Sequence, residues 1–412
     1  MNTFPEEHES PRKNFAAAES ASLFETPEQD PRKQTLLECG YSLRNFATIL
    51  FAIMSVTGQL AQYISLPLWV DSTSQSTITS TDQRNKWKPT MDSYFVASFA
   101  SLSFLVVFGF VVLCCKIICP NYLPVTEWSY RCLLLVVGSI QGMSALLVVF
   151  SCSGEKTPPY LQAILGNFSI PITLLFRFLL LKKIPTRRKL LSAAIIVLGL
   201  FICLIPTMFP WIDPEASTRH DLGGETGLAR ILWPVTFMVG LGISATSFIV
   251  EEKAVKMRGN VGHNIYSQAS LLSVLFWTSL SQFLALLLLF WTDVIPGFGH
   301  TNSIHEFIGN WTFGFQCVFG GAGCSRWPGG LAFLFISGYI MKVCGSALLL
   351  RYSEGATLLA IVLSLCTPLC FVFWTLFREK PFHWNPTLHT STWLSITALL
   401  IMVPAAFIYN TG

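Results

Sequence analysis

The sequence contains little charge. Only 12% of its 412 residues are Asp, Glu, Lys or Arg, about half of the roughly 25% that soluble domains usually carry. In contrast, 52% of the residues are hydrophobic and Phe alone occurs 33 times. A soluble fold cannot bury this much apolar surface, so the composition predicts a polytopic membrane protein in a lipid bilayer. The formal net charge of +4 is small, and we expect no nucleic acid among the partners.

The sequence also lacks the motifs of common catalytic and ATP-binding sites. It contains no HExxH and no GxxxxGK(S/T) sequence, and its hydrophobic stretches contain no GxSxG sequence and no paired carboxylates. An intramembrane enzyme needs a nucleophile, an acid–base pair or clustered metal ligands, and an ATP-driven pump needs a phosphate-binding loop. The 12 cysteines are scattered, mostly among apolar residues, where Cys usually acts as a small hydrophobe. We therefore predict that the protein is not an enzyme and binds no cofactor or metal.

Long hydrophobic stretches are abundant instead. About ten of them are long enough, at roughly 20 residues, to cross a bilayer core. Lys and Arg are about twice as frequent in alternate connections, which predicts that both termini face the cytosol. Segment 1–42, which is polar and rich in Pro, Glu and Ser, is predicted to be a disordered cytosolic tail. The predicted spans lie near residues 44–68, 94–118, 131–152, 159–181, 190–209, 229–250, 265–291, 330–350, 356–377 and 392–410.

Two stretches in different halves of the chain resemble each other. Residues 169–181 read SIPITLLFRFLLL and residues 366–378 read CTPLCFVFWTLFR, so that Pro171 aligns with Pro368. A proline inside a span removes a backbone hydrogen bond, and we predict a hinge at each. Five spans per half require the halves to insert in opposite directions, which is the inverted-repeat plan of secondary transporters. The predicted organisation is a first repeat at 43–209, a non-cytosolic connector at 210–228, and a second repeat at 229–412 with a non-cytosolic loop at 292–329.

Residues 159–183 form the most informative span. Gln162, Ser169 and Thr173 share one helical face, and Asn167 lies beside it. Such a face either packs against other helices or lines a polar path whose amides and hydroxyls bind a solute. In the second half, the similarly polar face of the ninth span contains Ser364 and Thr367.

Lys342 lies inside a predicted span, with apolar-rich sequence on both sides. A Lys at the centre of a bilayer costs on the order of 3 kcal/mol, so it should face a cavity or a partner. We predict that it attracts a substrate carboxylate or affects proton coupling; the alternative is an ammonium that reaches the membrane surface or a backbone carbonyl. Gln59 and Gln62 of the first span and Gln141 of the third are further candidates for solute binding, with helix packing as the alternative.

Three segments carry a resemblance to a known family. Residues 161–181 (LQAILGNFSIPITLLFRFLLL) look like the fourth helix of the chloroquine-resistance-transporter-like (CRT-like) proteins, within the drug/metabolite transporter superfamily. Residues 244–256 (SATSFIVEEKAVK) and 314–324 (GFQCVFGGAGC) resemble the end of the sixth helix and the start of the cysteine-bearing loop between helices seven and eight. The resemblance implies an all-α integral membrane protein of about ten helices in two inverted five-helix repeats around a central cavity. It also implies that Gln162 and Ser169 line this cavity, while Gln141 stands where some relatives have an acidic residue.

The loop at 292–329 contains two further features. In an oxidising lumen, and by resemblance to the family's loop, Cys317 and Cys324 are expected to form a disulfide. The sequon Asn310-Trp311-Thr312 leaves glycosylation open. Histidines on the same predicted side of the membrane would be protonated in an acidic lumen, given an ordinary pKa of about 6.5. They are His220, His300, His305, His383 and His389.

Together these features predict a secondary active transporter that moves small organic solutes by alternating access. The resemblance implies amino acids, peptides, glutathione-like thiols or organic cations as solutes, and a vacuolar or lysosome-like endomembrane as the location. Proton co-transport and the oligomeric state stay open. The alternatives are a nucleotide-sugar or other metabolite transporter of the same superfamily, and a membrane receptor or regulatory protein that does not transport.

Overall fold

A computed structural model of the chain describes most of the predicted membrane region. The described residues are 31–72, 89–118, 128–153, 156–181, 185–212, 227–259, 267–321, 324, 327–352, 362–363, 365–378, 382–386 and 390–411. The chain divides into two units, Met1–Ile49 and Leu50–Gly412. In the first unit, the described part belongs to the beginning of one helix. All contacts discussed below lie within the second unit.

The described residues are almost entirely helical, which confirms the all-α prediction. A pair of two-residue strands, Phe377–Arg378 and His383–Trp384, forms an antiparallel turn near the end of the chain. The helices are α1 (Pro31–Asp71), α2 (Ser93–Ile118), α3 (Trp128–Ser151), α4 (Pro159–Leu165), α5 (Ser169–Leu181), α6 (Arg187–Met208), α7 (Ala229–Gly259), α8 (Ser267–Leu288), α9 (Ile304–Val318), α10 (Trp327–Tyr352), α11 (Cys366–Leu376) and α12 (Thr390–Thr411).

Nine helical segments within the described residues are long and apolar enough to cross a membrane. They match nine of the ten predicted spans, because long apolar runs are a strong sequence signal. The remaining predicted span, 356–377, is represented by the shorter apolar helix α11, since residues 353–361 and 364 lie outside the described residues. Helix α1 begins at Pro31, inside the predicted 1–42 tail. Proline suits the first helical position, where its missing N–H leaves no partner unpaired.

The fourth span is a broken helix. Helix α4 ends at Leu165, a 3₁₀ turn covers Gly166–Phe168, and α5 follows directly. Pro171 is the third residue of α5. A proline cannot donate to the carbonyl four residues earlier and its ring crowds that carbonyl, here that of Asn167, so the irregular turn lies before the proline. Pro368 is likewise the third residue of α11.

Small residues allow the closest helix crossings. On α1, a Cβ atom at Gly58 would lie 2.6 Å from the carbonyl oxygen of Gly338 and 2.5 Å from the backbone nitrogen of Lys342, both on α10. Helix α3 crosses α8 in the same manner, with Gly138 against the backbone of Thr278. Membrane helices use such contacts because close backbone approach maximises van der Waals packing.

Helix α9 lies within the predicted non-cytosolic loop at 292–329. Its start carries a capping signature, in which the Ser303 hydroxyl accepts a hydrogen bond from the Glu306 N–H at 3.3 Å, and this S-x-x-E pattern is visible in the sequence. Trp311 of α9 packs against Phe95 of α2, with ring centroids 6.0 Å apart. The structure also joins Cys317 to Cys324 in a disulfide with Cα atoms 5.2 Å apart.

The Asn310 sequon lies on the buried face of α9. The Asn310 side chain is only 1% exposed. Its Oδ1 accepts a hydrogen bond from the Thr90 N–H at 2.9 Å, and its Nδ2 donates to Asp92 at 3.3 Å. A buried amide with both ends bonded cannot accept a glycan without loss of these contacts.

We predict that Gly58→Ala destabilises the protein whereas Gly330→Ala does not. Both glycines are helical, so alanine improves helix propensity at both by up to about 1 kcal/mol. At Gly58 the added methyl meets backbone atoms of α10, while at Gly330 it meets nothing within 4 Å. Overpacking of this kind costs about 1–3 kcal/mol. Thermal unfolding of the two detergent-purified variants measures the difference, and equal midpoints would contradict the close crossing.

We also predict that Asn310 carries no glycan when the protein is produced in a glycosylating host. Treatment with an endoglycosidase should leave the electrophoretic mobility unchanged. Asn310→Ala should destabilise the protein by about 1–3 kcal/mol, because it removes one donor from the buried Asp92 carboxyl and the acceptor of the Thr90 N–H. A glycosidase-sensitive mass shift that Asn310→Ala abolishes would show that this face of α9 is accessible.

Candidate functional site

Polar side chains from four helices meet inside the bundle. Tyr63 of α1 hydrogen-bonds Gln59 and lies close to Cys366 and Cys370 of α11. Its hydroxyl also faces the break in the fourth span, since a Cβ atom at Gly166 would lie 3.1 Å from it. We call the following set the central cluster: Gln59, Tyr63, Asn167, Lys342, Cys366 and Thr367.

The central cluster joins the two halves of the chain directly. The Thr367 hydroxyl of α11 donates a hydrogen bond to Asn167 Oδ1 at 3.3 Å, and both side chains are buried. Asn167 belongs to the 3₁₀ turn that precedes Pro171. The two predicted polar faces, one in each half, therefore touch at these two residues.

Lys342 supplies the positive charge of the central cluster. The close crossing with Gly58 holds its backbone against α1, and its side chain lies near Cys366 of α11. The side chain is half-buried, and within the described part of the chain it makes no ion pair with a carboxylate. A cation without a counter-ion in this environment favours an anionic ligand group.

Gln62 lies beside the central cluster on α1 and is 8% exposed. Its Nε2 has no hydrogen-bond partner among the described residues. Because buried polar groups are nearly always bonded, an amide left without a partner is a candidate for contact with water or a solute. Gln59, by contrast, is engaged by Tyr63.

Several other predicted site residues form hydrogen bonds within their own helix or the adjoining turn. Gln162 is fully occupied at the turn between α3 and α4, where it donates to the carbonyls of Cys152 and Thr157, each at 2.6 Å, and contacts the Cys152 thiol at 2.8 Å. The Ser169 and Thr173 hydroxyls bond carbonyls of their own turn. Gln141 is half-buried on α3, outside the central cluster, and Ser364 lies outside the described residues.

A second polar region, which the sequence analysis missed, lies where α2 begins and α8 gives way to a 3₁₀ turn. Asp92 and Asp293 are 4% and 0% exposed, and their carboxyl groups lie within hydrogen-bonding reach of each other. Burial, followed by the negative charge of Asp293, raises the pKa of Asp92 to about 8. The two acids stand 201 positions apart at span ends, so only the fold brings them together.

His300 lies beside this pair. The prediction that it is protonated in an acidic lumen is wrong at any pH above about 4. Its Nδ1 lies 3.9 Å from Asp293 Oδ1. Burial, followed by the positive charge of Lys156, lowers the pKa of His300 to about 4. His305 and His383 are exposed, while His220 and His389 lie outside the described residues.

Tyr63 and Cys366 are functional candidates that sequence reasoning overlooked. Tyr63 follows Gln59 by four residues and so shares its helical face, which was an available signal. Cys366 was treated as a small hydrophobe with the other cysteines of the spans. Its position near Lys342 depends on how α10 and α11 are arranged, which no local pattern indicates.

Comparison with known proteins identifies a family that matches this chain. A family model described as CRT-like, chloroquine-resistance transporter-like, matches residues 83–327, which is more than half of the chain. A relative named Crt homolog 2, from Dictyostelium discoideum, is 29% identical over 120 residues. That match covers 28% of this chain and 23% of the relative, so the matched part spans less than a quarter of the relative's length. The family match ends at Trp327, so it does not include Lys342, Cys366 or Thr367.

We predict that Thr367→Val lowers stability more than Thr397→Val does. Valine has nearly the shape of threonine, but at position 367 it leaves the buried Asn167 Oδ1 without its donor. An unpaired buried group costs about 1–3 kcal/mol. Thr397 is exposed on α12 and bonds only a carbonyl of its own helix, so it is a matched control. Thermal unfolding of both variants tests the contact, and indistinguishable midpoints would argue against it.

Proposed function

Because the chain belongs to the chloroquine-resistance-transporter-like family, and is thus a membrane transporter, we propose that it moves small solutes bearing a carboxylate by secondary active transport. The solutes would be amino acids, peptides or glutathione-like thiols. Lys342 carries this proposal, since it is the charged member of the central cluster. It would bind the substrate carboxylate, and the neutral amides and hydroxyls around it would bind the remaining polar groups.

The composition of the central cluster argues against the other solutes considered. An organic cation would meet the positive charge of Lys342, and the central cluster contains no carboxylate to offset it. A nucleotide sugar carries two phosphates, which are usually bound by several positively charged or fixed donors. Lys342 alone is a poor match for that requirement.

The position of the central cluster supports alternating access as the mechanism. Helix α1 and the 3₁₀ turn of the fourth span belong to the first half of the chain, whereas α10 and α11 belong to the second. Binding between two halves allows a solute to be exposed to either side as the halves move. The 3₁₀ turn before Pro171 and the start of α11 at Cys366 would act as the hinges, because helix ends and 3₁₀ turns hold fewer intrahelical hydrogen bonds.

We place the protein in a vacuolar or lysosome-like endomembrane with both termini in the cytosol. The distribution of Lys and Arg supports this orientation. The Cys317–Cys324 disulfide suits a connection that faces an oxidising compartment. An outward proton gradient across such a membrane would be available to drive solute movement, which makes proton coupling part of the proposal.

Uptake into proteoliposomes tests the proposal. The full chain would be assayed with glutathione, a dipeptide, neutral and basic amino acids, an organic cation and a nucleotide sugar, with and without a proton gradient. We expect saturable uptake of carboxylate-bearing solutes. Lys342→Ala should reduce their kcat/KM by about 10-fold or more, the effect of losing roughly 1.4 kcal/mol of charge-assisted binding.

Lys116→Ala is the matched control, because Lys116 is exposed near the end of α2. It should leave uptake unchanged. Wild-type kinetics in Lys342→Ala would remove Lys342 from the site, and preferential uptake of organic cations would overturn the proposed substrate class. If folded, oriented protein transports none of these solutes, the non-transporting receptor becomes the better hypothesis.

A further inference from the structure

The Asp92–Asp293 pair holds two carboxyl groups that cannot both be ionised. They are almost completely buried and lie within hydrogen-bonding reach of each other. Two negative charges at that distance, shielded from water, repel strongly, so the pair keeps one proton between its oxygens. The shared proton makes a direct bond from the residue that precedes α2 to the 3₁₀ turn at Phe290–Val294.

Each carboxyl group also holds a neighbouring segment. Asp92 accepts the Phe95 N–H at 2.7 Å, which caps α2, and the Asn310 side chain at 3.3 Å, which ties α9 to α2. Asp293 accepts the Thr301 hydroxyl at 3.1 Å and the His300 N–H at 3.3 Å. The pair is therefore the point where α2, the end of the seventh span and α9 are fastened together.

The charged groups around the pair leave it nearly neutral. Lys156 approaches from the turn between α3 and α4, with its ammonium 3.9 Å from the ring centroid of Trp233 on α7 and 3.0 Å from the Phe150 carbonyl oxygen. His300 follows the 3₁₀ turn, Tyr94 lies on α2, and α9 contributes the neutral Asn310. With one shared proton the pair carries one negative charge, which Lys156 balances. Loss of that proton leaves one uncompensated negative charge in a buried site.

We propose that the Asp92–Asp293 pair is a pH-sensitive latch: its shared proton fastens α9 and the start of α2 to the end of the seventh span, and loss of that proton releases α9. Release separates the carboxyl groups and lets water reach them, so the open form favours two ionised carboxylates. This latch is independent of the proposed substrate, because no residue of the central cluster takes part in it.

The pH dependence of release follows from the two shifted groups. Asp92 has a pKa of about 8 in the closed form and an ordinary pKa of about 3.9 once exposed, so opening releases a proton between these values. His300 has a pKa of about 4 in the closed form and about 6.5 when exposed, so opening takes up a proton between those values. Below about pH 6.5 the two changes cancel. Between about pH 6.5 and 8, proton release is unopposed, and the open population should rise about tenfold per pH unit.

Hydrogen exchange measured by mass spectrometry on the full chain in nanodiscs tests the latch. The observable is the protection factor of peptides from α9, corrected for the intrinsic pH dependence of exchange. In the wild-type protein, protection should fall about tenfold per unit between about pH 6.5 and 8 and stay level below that range. In Asp92→Asn protection should no longer fall between about pH 6.5 and 8, because the amide permanently supplies the hydrogen bond that the shared proton makes. Below about pH 6.5 the proton uptake by His300 is then unopposed, so protection should fall as the pH is lowered.

Two further variants make the test specific. Glu306→Gln removes a half-buried carboxylate from the first turn of α9 and should keep the wild-type slope, because Glu306 bonds the Asn302 N–H and not the carboxyl pair. His300→Gln removes the opposing proton uptake, so its slope should extend below pH 6.5 towards about pH 4. If Asp92→Asn does not fold, Asp293→Asn provides the same substitution from the other side of the pair. A wild-type protection factor that is independent of pH, or an unchanged slope in the Asn variant, would overturn the latch.

Discussion

The structure depends on one constraint, which is that polar groups buried in a membrane-spanning bundle must find partners within the protein. Most of the hydroxyl groups in the spans satisfy it locally. Ser65, Ser139 and Thr236, for example, each donate to the carbonyl four residues earlier in their own helix. Such residues reveal nothing about function. The informative positions are those where local bonding fails. At some of them the partner comes from a distant part of the chain, as for Thr367 with Asn167; at others, such as Gln62 Nε2, the described part of the chain offers no partner.

The same constraint explains which features of the fold the sequence predicts. Spans are predictable because about 20 consecutive apolar residues are a property of the local sequence, and the observed bounds follow the predicted ones closely. Helix α9 was missed because its amphipathic pattern covers only 15 residues, too few to resemble a span. The S-x-x-E pattern at its start is visible in the sequence, but such a pattern indicates only where a helix begins and not which part of the protein the helix packs against. The buried state of Asn310 depends on docking against Thr90 and Asp92, which are about 220 positions away.

The site was predictable only in part, for a related reason. Helical periodicity places Gln162, Ser169 and Thr173 on one face, but it cannot distinguish a hydroxyl that bonds its own helix from one that faces a solute. Lys342 stood out because charge inside a span is rare and costly. Tyr63 and Cys366 enter the central cluster through tertiary contacts alone. A charged residue inside a span, which is costly to insert into the bilayer, is therefore a better indicator of a membrane site than several polar residues on one helix face.

The turn between α3 and α4 lies between the Asp92–Asp293 pair and the fourth span. Lys156 on this turn contributes the positive charge that faces Asp293 and His300. Four residues before Gly166, Gln162 fixes the same turn to α4 through the carbonyls of Cys152 and Thr157. In the latch proposed above, the charge of the carboxyl pair would thus act on a segment bonded directly to the broken fourth span. Gln162 is buried and fully bonded, and the 3₁₀ turn that contains Asn167 of the central cluster follows four residues later. The hydrogen bonds of Gln162 therefore argue for an anchor of this turn rather than for the solute ligand that its helical face predicts.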